Sequence, residues 1–292
     1  MSVNRYRLFL PMLLIVTMSG TMTLLSDHAV VEVHEFDLRG ELDKRYFRIF
    51  GRDGSDPYSN PSEKGLHTKF ESTDERKIDI NGLITRFAFA GDFTATAFFE
   101  INKITQPDYG SGAGAMMVIN TVDEGFQARV QRINSAGRGH AFSAHVGMPR
   151  EPRPGVPPHQ NLNHSHQLKP TVAKAGRLQL KREGTSMIWL ASEGLDGEFR
   201  ELRREEWTDK PVKELFLLGK SGGAAAEVDF LWTKLVIDID GEIPAGEIES
   251  ATSDRNNRDV AEINYFNWML GGSIGLLVLC LLVTAFRKKP RR

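Results

Sequence analysis

Between residues 28 and 240 the apolar side chains of this chain recur every second position in short runs, and Gly, Pro, Asn and Asp clusters separate the runs. Phe126, Ala128 and Val130 alternate with Gln127, Arg129 and Gln131; Phe142, Ala144 and Val146 alternate with Ser143 and His145; Leu178 and Leu180 alternate with Gln179 and Lys181. A period of two places alternate side chains on opposite faces, so these runs predict half-buried antiparallel strands. Phe93–Ile101, Met116–Ile119, Met187–Ala191 and Leu215–Leu218 read as further strands, two of them apolar on both faces and therefore central. In the run from Val228 to Ile239 the apolar positions change phase: Val228, Phe230 and Trp232, then Leu235, Ile237 and Ile239. A one-residue slip turns every side chain over, so a bulge at Thr233 or Lys234 is the economical reading. Helical periodicity is missing from this stretch, apart from a turn or two near Glu201–Glu206. Many short strands with turn signals predict an all-β antiparallel jelly-roll sandwich. Met148–Pro170, with six prolines and three histidines, reads as a long loop.

The two ends place this body. Phe266–Phe286 is 21 residues without a charge, enough helix to cross a hydrocarbon core of roughly 30 Å. Trp268 stands at one end, and Arg287, Lys288, Lys289, Arg291 and Arg292 follow the other, which predicts a cytoplasmic tail at 287–292. Cys280, the single cysteine, lies within that span, so no intramolecular disulfide is available. Arg5 and Arg7 precede an uncharged stretch from Leu8 to Ser26, giving a signal peptide or signal-anchor helix over 1–27. Either choice puts residues 28–240 outside the cytoplasm, joined by a polar stalk over 241–265 to the transmembrane helix at 266–286. The expected location is the cell membrane, with the lipid bilayer as one partner. Residues 28–286 carry thirty basic against thirty-seven acidic side chains, a net of −7, which argues against nucleic acid as a partner.

The segments "HEFDLRG", "EKGLHTKF", "GLITRFAFAGDFTATAFFEI", "DYGSGAGAMMVIN", "AGRLQLKREGTSMIWLASEG" and "AEVDFLWTKLVIDI" resemble a concanavalin A-like lectin/glucanase sandwich, and the resemblance covers nearly all of residues 33–240. They are similar to a planctomycete branch of extracytoplasmic domains. That superfamily holds lectins, glycosidases and adhesion modules, so the resemblance implies a fold and leaves function to the site.

The search for chemistry begins with carboxylates. Glu227-Val228-Asp229 resembles the start of the glucanase Glu-x-Asp-x-Glu motif, but Leu231 or Trp232 stands where its closing Glu belongs. A retaining glycosidase needs two carboxylates, one of them able to donate a proton. The motif is incomplete, and Asp229 reads as a solvent-facing residue. Gly110–Ala115 carries a dinucleotide-like glycine pattern without the following helix that such a site needs, so the glycines read as a tight turn or close backbone packing. Gly219-Lys220-Ser221 lacks the earlier glycine of a phosphate loop, since position 214 is Glu214.

His159, His164 and His166 form a histidine set that could hold zinc, with His164 and His166 projecting the same way from an extended segment. Calcium is the other cofactor considered, on Asp53, Asp56 and Asn60 or on Asp238 and Asp240; turn-forming Asp beside Gly is the competing reading. For a sugar-binding surface the candidates are Trp207, set among charged residues, and Tyr58 and Tyr109 in turn-rich segments, whereas Trp189 and Trp232 read as core. These features predict a membrane-anchored extracytoplasmic recognition or adhesion module without evident catalysis, binding glycan or an envelope protein. The alternatives are a scaffolding component acting through protein contacts and, behind that, a glycoside hydrolase.

Overall fold

The computed structural model describes residues 31–50, 58–73, 79–122, 126–149, 162–240 and 243. Among them lie fifteen strands and no helix, arranged as two antiparallel sheets packed face to face. The first sheet contains β1 (Val31–Asp37), β3 (Ser59–Ser62), β4 (Gly65–Ser72), β6 (Phe93–Ile104), β11 (Ala175–Glu183), β12 (Ser186–Glu193), β13 (Arg200–Glu206) and β15 (Ala226–Asp240). Its order is β13-β12-β11-β6-β15-β4-β3, with β1 also on β15. The second contains β2 (Phe47–Phe50), β5 (Ile80–Thr85), β7 (Ala113–Thr121), β8 (Gln127–Ser135), β9 (Gly139–Pro149), β10 (Leu162–Pro170) and β14 (Val212–Lys220), in the order β10-β9-β8-β7-β14-β5-β2. The all-β antiparallel sandwich expected from the alternation is what the chain forms. The apolar run Met116–Ile119 belongs to β7, the middle strand of the second sheet, which explains its hydrophobic character on both faces. The terminal segments read as a signal or anchor helix and as a transmembrane helix lie outside the described residues. No helix among the described residues is long and apolar enough to cross a membrane.

The phase change in β15 is a bulge. The register on β6 shifts between Trp232 and Lys234, so Val228, Phe230 and Trp232 face the core before it, and Leu235, Ile237 and Ile239 after it. The bulge also divides the strand between two neighbours on one edge. Residues 226–232 pair with β4, and residues 234–240 pair with β1. The carbonyl of Thr233 between them accepts the Leu38 amide at 3.2 Å, so the unpaired residue of the bulge is still satisfied. Gly65 begins β4 at this junction with φ 139°, and a Cβ there would lie 2.5 Å from the Trp232 carbonyl oxygen. Only glycine fits such an approach.

Trp189, Trp232, Phe99 and Phe230 are fully buried between the sheets. Each such side chain contributes roughly 1.5–3 kcal/mol by leaving water. Buried arginines tie the connections to this core: Arg182 donates to the carbonyls of Gly91 and Lys210, and its guanidinium lies 5.1 Å from the Phe93 ring centroid.

Two sequence expectations are corrected here. Glu201–Glu206 is not helical but part of β13, because Leu202 enters the core while Arg204 pairs with Glu201 and Glu183 across the exposed face. Residues 162–170 of the expected long loop are the edge strand β10, paired along β9 from Leu162↔Pro149 to Pro170↔Ala141. As an edge strand with mostly exposed side chains it carries almost no apolar alternation, so its sequence resembles a loop. Residues 150–161 lie outside the described residues.

Candidate functional site

The face of the second sheet turned away from the core gathers most of the polar chemistry. Strand alternation sends Ala128 and Val130 of β8 into the core and Gln127, Arg129 and Gln131 to the opposite face. Register then sets their neighbours: Arg129 is opposite His145 of β9, which is opposite His166 of β10, while Gln127 is opposite Gly147, which is opposite His164. On the other side, Arg129 pairs with Val118 and Gln131 with Met116, and beyond them stand Phe216 and Leu218 of β14. These apolar residues form, with Ile80 and Ile84, a second hydrophobic cluster separate from the main core. Lys220 continues the same face of β14, two residues after Leu218.

The sequence predicted a half-buried β8 with a solvated polar face. The structure corrects this: every residue of β8 is buried, Arg129 with 2% of its surface exposed. The Oε1 atoms of both Gln127 and Gln131 are buried without a hydrogen-bond partner. Arg129 Nε donates to His145 Nδ1 at 3.2 Å, and its Nη2 lies 3.1 Å from Nδ1 and 2.8 Å from Nε2 of the same ring. Burial chiefly, then Arg129, holds the half-buried His145 well below the usual histidine range, so it is neutral at pH 7.

His164 completes the front of the site. Its ring lies 5.1 Å from that of His145, tilted by 37°, over a floor opened by Gly147. A Cβ at Gly147 would sit 3.2 Å from His164 Nδ1, so the missing side chain is what admits the imidazole. The inner edge of His164 is packed and its outer edge is exposed; burial of the packed edge, with Arg129 behind it, lowers its pKa to about 4. His166 is exposed on the same face, and its pKa is lowered by partial burial, then by Arg138, Arg203, Lys220 and Arg129. Lys220, 1% exposed, donates to the Ser111 carbonyl at 3.3 Å, and burial followed by Arg129 lowers its pKa to about 7. Arg203 of β13 donates to Ser165 Oγ at 2.5 Å, which ties the edges of the two sheets together beside the site.

The sequence candidates therefore separate. His164 and His166 do share a face of β10, while His159 lies outside the described residues. The third imidazole brought to them is His145, which sequence reasoning had treated only as the polar half of an alternation. No group of three metal-ligating side chains is assembled among the described residues. Asp53 and Asp56 also lie outside the described residues, and Asp238 has its pKa raised by burial.

Trp207, expected at the surface, is buried at 6% exposure. It follows the last residue of β13 and meets Phe126 edge-on at 6.2 Å. Tyr58 is 48% exposed beside β3, with its ring 5.9 Å from Phe70, and Tyr109 is 39% exposed between β6 and β7. The glycines after Tyr109 serve close packing: a Cβ on Gly110 would lie 2.3 Å from the Gly222 carbonyl oxygen.

Asp229 is also corrected. It lies on the outer face of the first sheet, yet its side chain is 13% exposed, bonded to His67 at 2.9 Å and Asn102 at 2.8 Å with Lys69 at 3.3 Å. Burial alone would raise its pKa, but these three partners outweigh it and hold the carboxyl below the usual range. Glu227 is paired with Lys103 at 2.5 Å. Neither acid is arranged as the protonated donor that glycoside hydrolysis requires.

Solved structures of similar fold include a legume lectin-like domain from Entamoeba histolytica, at 12% identity over 69% of this chain and 95% of that one, TM-score 0.47. A family 16 glycosyl hydrolase from Mycobacterium smegmatis matches at 11% identity over 70% and 98%, TM-score 0.46. The exoplasmic/lumenal domain of VIP36, in its Ca2+/Man2-bound form, matches at 8% identity over 76% and 90%, TM-score 0.45. No curated protein matches the chain. Residues 23–266 match the family described as "Protein of unknown function (DUF1583) C domain", and the chain belongs to that family.

Proposed function

We propose that this protein is a membrane-anchored recognition module that binds carbohydrate without transforming it, through the outer face of the second sheet at its β10 edge. The observation that carries the reading is a polar row, Gln127, Arg129 and Gln131, buried behind the exposed imidazoles of His164 and His166, with two amide oxygens unpaired. A buried acceptor without a donor costs about 1–3 kcal/mol, and such groups concentrate where a ligand supplies the missing bond. Sugar hydroxyls are donors of the right kind, and flat imidazole edges suit the faces of pyranose rings. The reading without catalysis is supported by Asp229 and Glu227, which are paired with His67, Lys69 and Lys103. The anchor rests on the uncharged segments 8–26 and 266–286 and on the basic tail.

A glycan array probed with the full chain in detergent tests the binding site. Retention of defined oligosaccharides that is lost in Gln131→Leu and His164→Gln is expected; equal retention by the variants would remove this face from consideration. Alkaline extraction tests the anchor, since release of the chain into the soluble fraction would exclude it.

The second reading, a scaffold for an envelope complex, draws on the apolar cluster Ile80, Ile84, Met116, Val118, Phe216 and Leu218 that shares this face. Copurification of a stoichiometric protein partner, unaffected by the histidine variants, favours it.

A further inference from the structure

Resting on the carbohydrate reading above, we propose that the ligand of this face is an acidic oligosaccharide, whose isolated carboxylate is received at the His164–His166 rim in front of Arg129 and Lys220.

The argument begins from which side chains register brings together. Arg129 of β8, His145 of β9, His164 and His166 of β10 and Lys220 of β14 come from four strands and share one face. Arg138, in the turn between β8 and β9, and Arg203, across the seam on β13, add positive charge at His166. Arg203 is itself paired with Glu205, so its charge is the most compensated of the set. The charged groups that weigh most on the three imidazoles are all cations: Arg129, Lys220, Arg138 and Arg203. Among the described residues Lys220 Nζ donates to the Ser111 carbonyl at 3.3 Å and lies 3.5 Å from its hydroxyl. A carboxylate at the exposed rim would meet the imidazole N–H groups of His164 and His166, with the buried charge of Arg129 behind them, and hydrogen bonds to a charged partner are the stronger kind.

The rest of the molecule narrows the charge density of that ligand. Residues 28–286 carry a net charge of −7, so a densely charged polymer is repelled by the body while the basic rim attracts. The combination selects a short chain with separated acids over a nucleic acid or a heavily sulfated polymer.

Proton uptake follows. Burial first, and then the nearby cations, hold the imidazoles neutral; a bound carboxylate opposes the second effect and raises their affinity for a proton. Linkage then requires the acidic ligand to bind more tightly as pH falls through the histidine range.

The test is calorimetry on the full chain in detergent, with matched pairs: hexagalacturonate and its methyl ester, hexamannuronate and mannohexaose, each at about pH 7.5 and about pH 5.5. The acidic member of at least one pair should bind about tenfold or more tightly than its neutral counterpart, the ratio expected when a charge-assisted bond is lost. That ratio should widen at the lower pH and shrink in the doubly substituted His164→Gln, His166→Gln chain, whose exposed positions leave the core untouched. Neutral members binding as tightly as acidic ones would overturn the charge inference and leave the carbohydrate site standing. A short DNA duplex binding more tightly than any acidic oligosaccharide would overturn it in favour of a general polyanion surface. Binding of no member of either pair would overturn the carbohydrate reading and this inference with it.

Discussion

Lys220 gives the sharpest test on a single side chain. A lysine whose folded pKa lies near 7 is neutral in the native state above that value and charged in the unfolded state up to its ordinary 10.5. The unfolded chain therefore binds the extra proton between those limits, and native stability falls as pH drops from 10.5 towards 7. Lys220→Met removes the penalty and should stabilise the protein by about 1–4 kcal/mol near neutral pH, with the gain vanishing above pH ~10.5. Thermal denaturation of both chains across that range checks the sign. The histidines act in a lower window. With His164 lowered to about 4 and His145 also lowered by burial and then Arg129, stability is full above the ordinary histidine value of 6.5 and declines as pH falls through it towards 4. His164→Gln should flatten that decline. Gly147→Ala reads the geometry directly: its new methyl meets only side-chain atoms of His164 and Gln127, so the fold should persist while glycan retention drops. At this scale the sequence was partly legible. Trp189 and Trp232 read as core and are core, but Trp207 among charges read as exposed, because nothing in its neighbours foretells the turn that drops it beside Phe126.

Among the elements, β15 shows how much a phase change reveals. Its even-then-odd apolar order locates the bulge without any structure, since no other device keeps both halves facing one core. Deleting Thr233 should remove the bulge and leave Val228, Phe230, Trp232, Leu235, Ile237 and Ile239 in one unbroken alternating phase, so the near-ultraviolet signal of the buried tryptophans should persist. Gly65→Ala is a second probe of the same junction. Its Cβ would press on the Trp232 carbonyl from a backbone with φ 139°, costing on the order of 1–3 kcal/mol in a denaturant titration. Strand β10 is the opposite case. It has hydrogen bonds to β9 and almost no core face, so the periodicity that announces a strand was never written into it.

For the molecule as a whole, the open side of the sandwich is held where Arg203 of β13 meets Ser165 of β10. Arg203→Ala should loosen β10 selectively, raising its amide exchange while the strands around Trp232 stay protected. The same substitution takes positive charge from His166 and should weaken glycan retention, which joins the seam to the site. The proposed tether belongs to this scale too, and alkaline extraction of membranes is its measurement.

Alternation, phase and turn residues are local properties, so the chain alone determined that this body is all-β, that its alternating apolar runs are strands, where β15 bulges and which side chains of those runs point the same way. It could not say which of the two faces of β8 meets water. Gln127, Arg129 and Gln131 carry the pattern of a solvated face, and a period of two is the same whether polar side chains meet water or meet Val118 and Met116. That was decided by register between strands distant in sequence, with β14 inserted between β7 and β5 and β9 carrying β10 alongside. Burial of a polar row depends on what lies beside it across the sheet, and that neighbourhood exists only once the strands have paired.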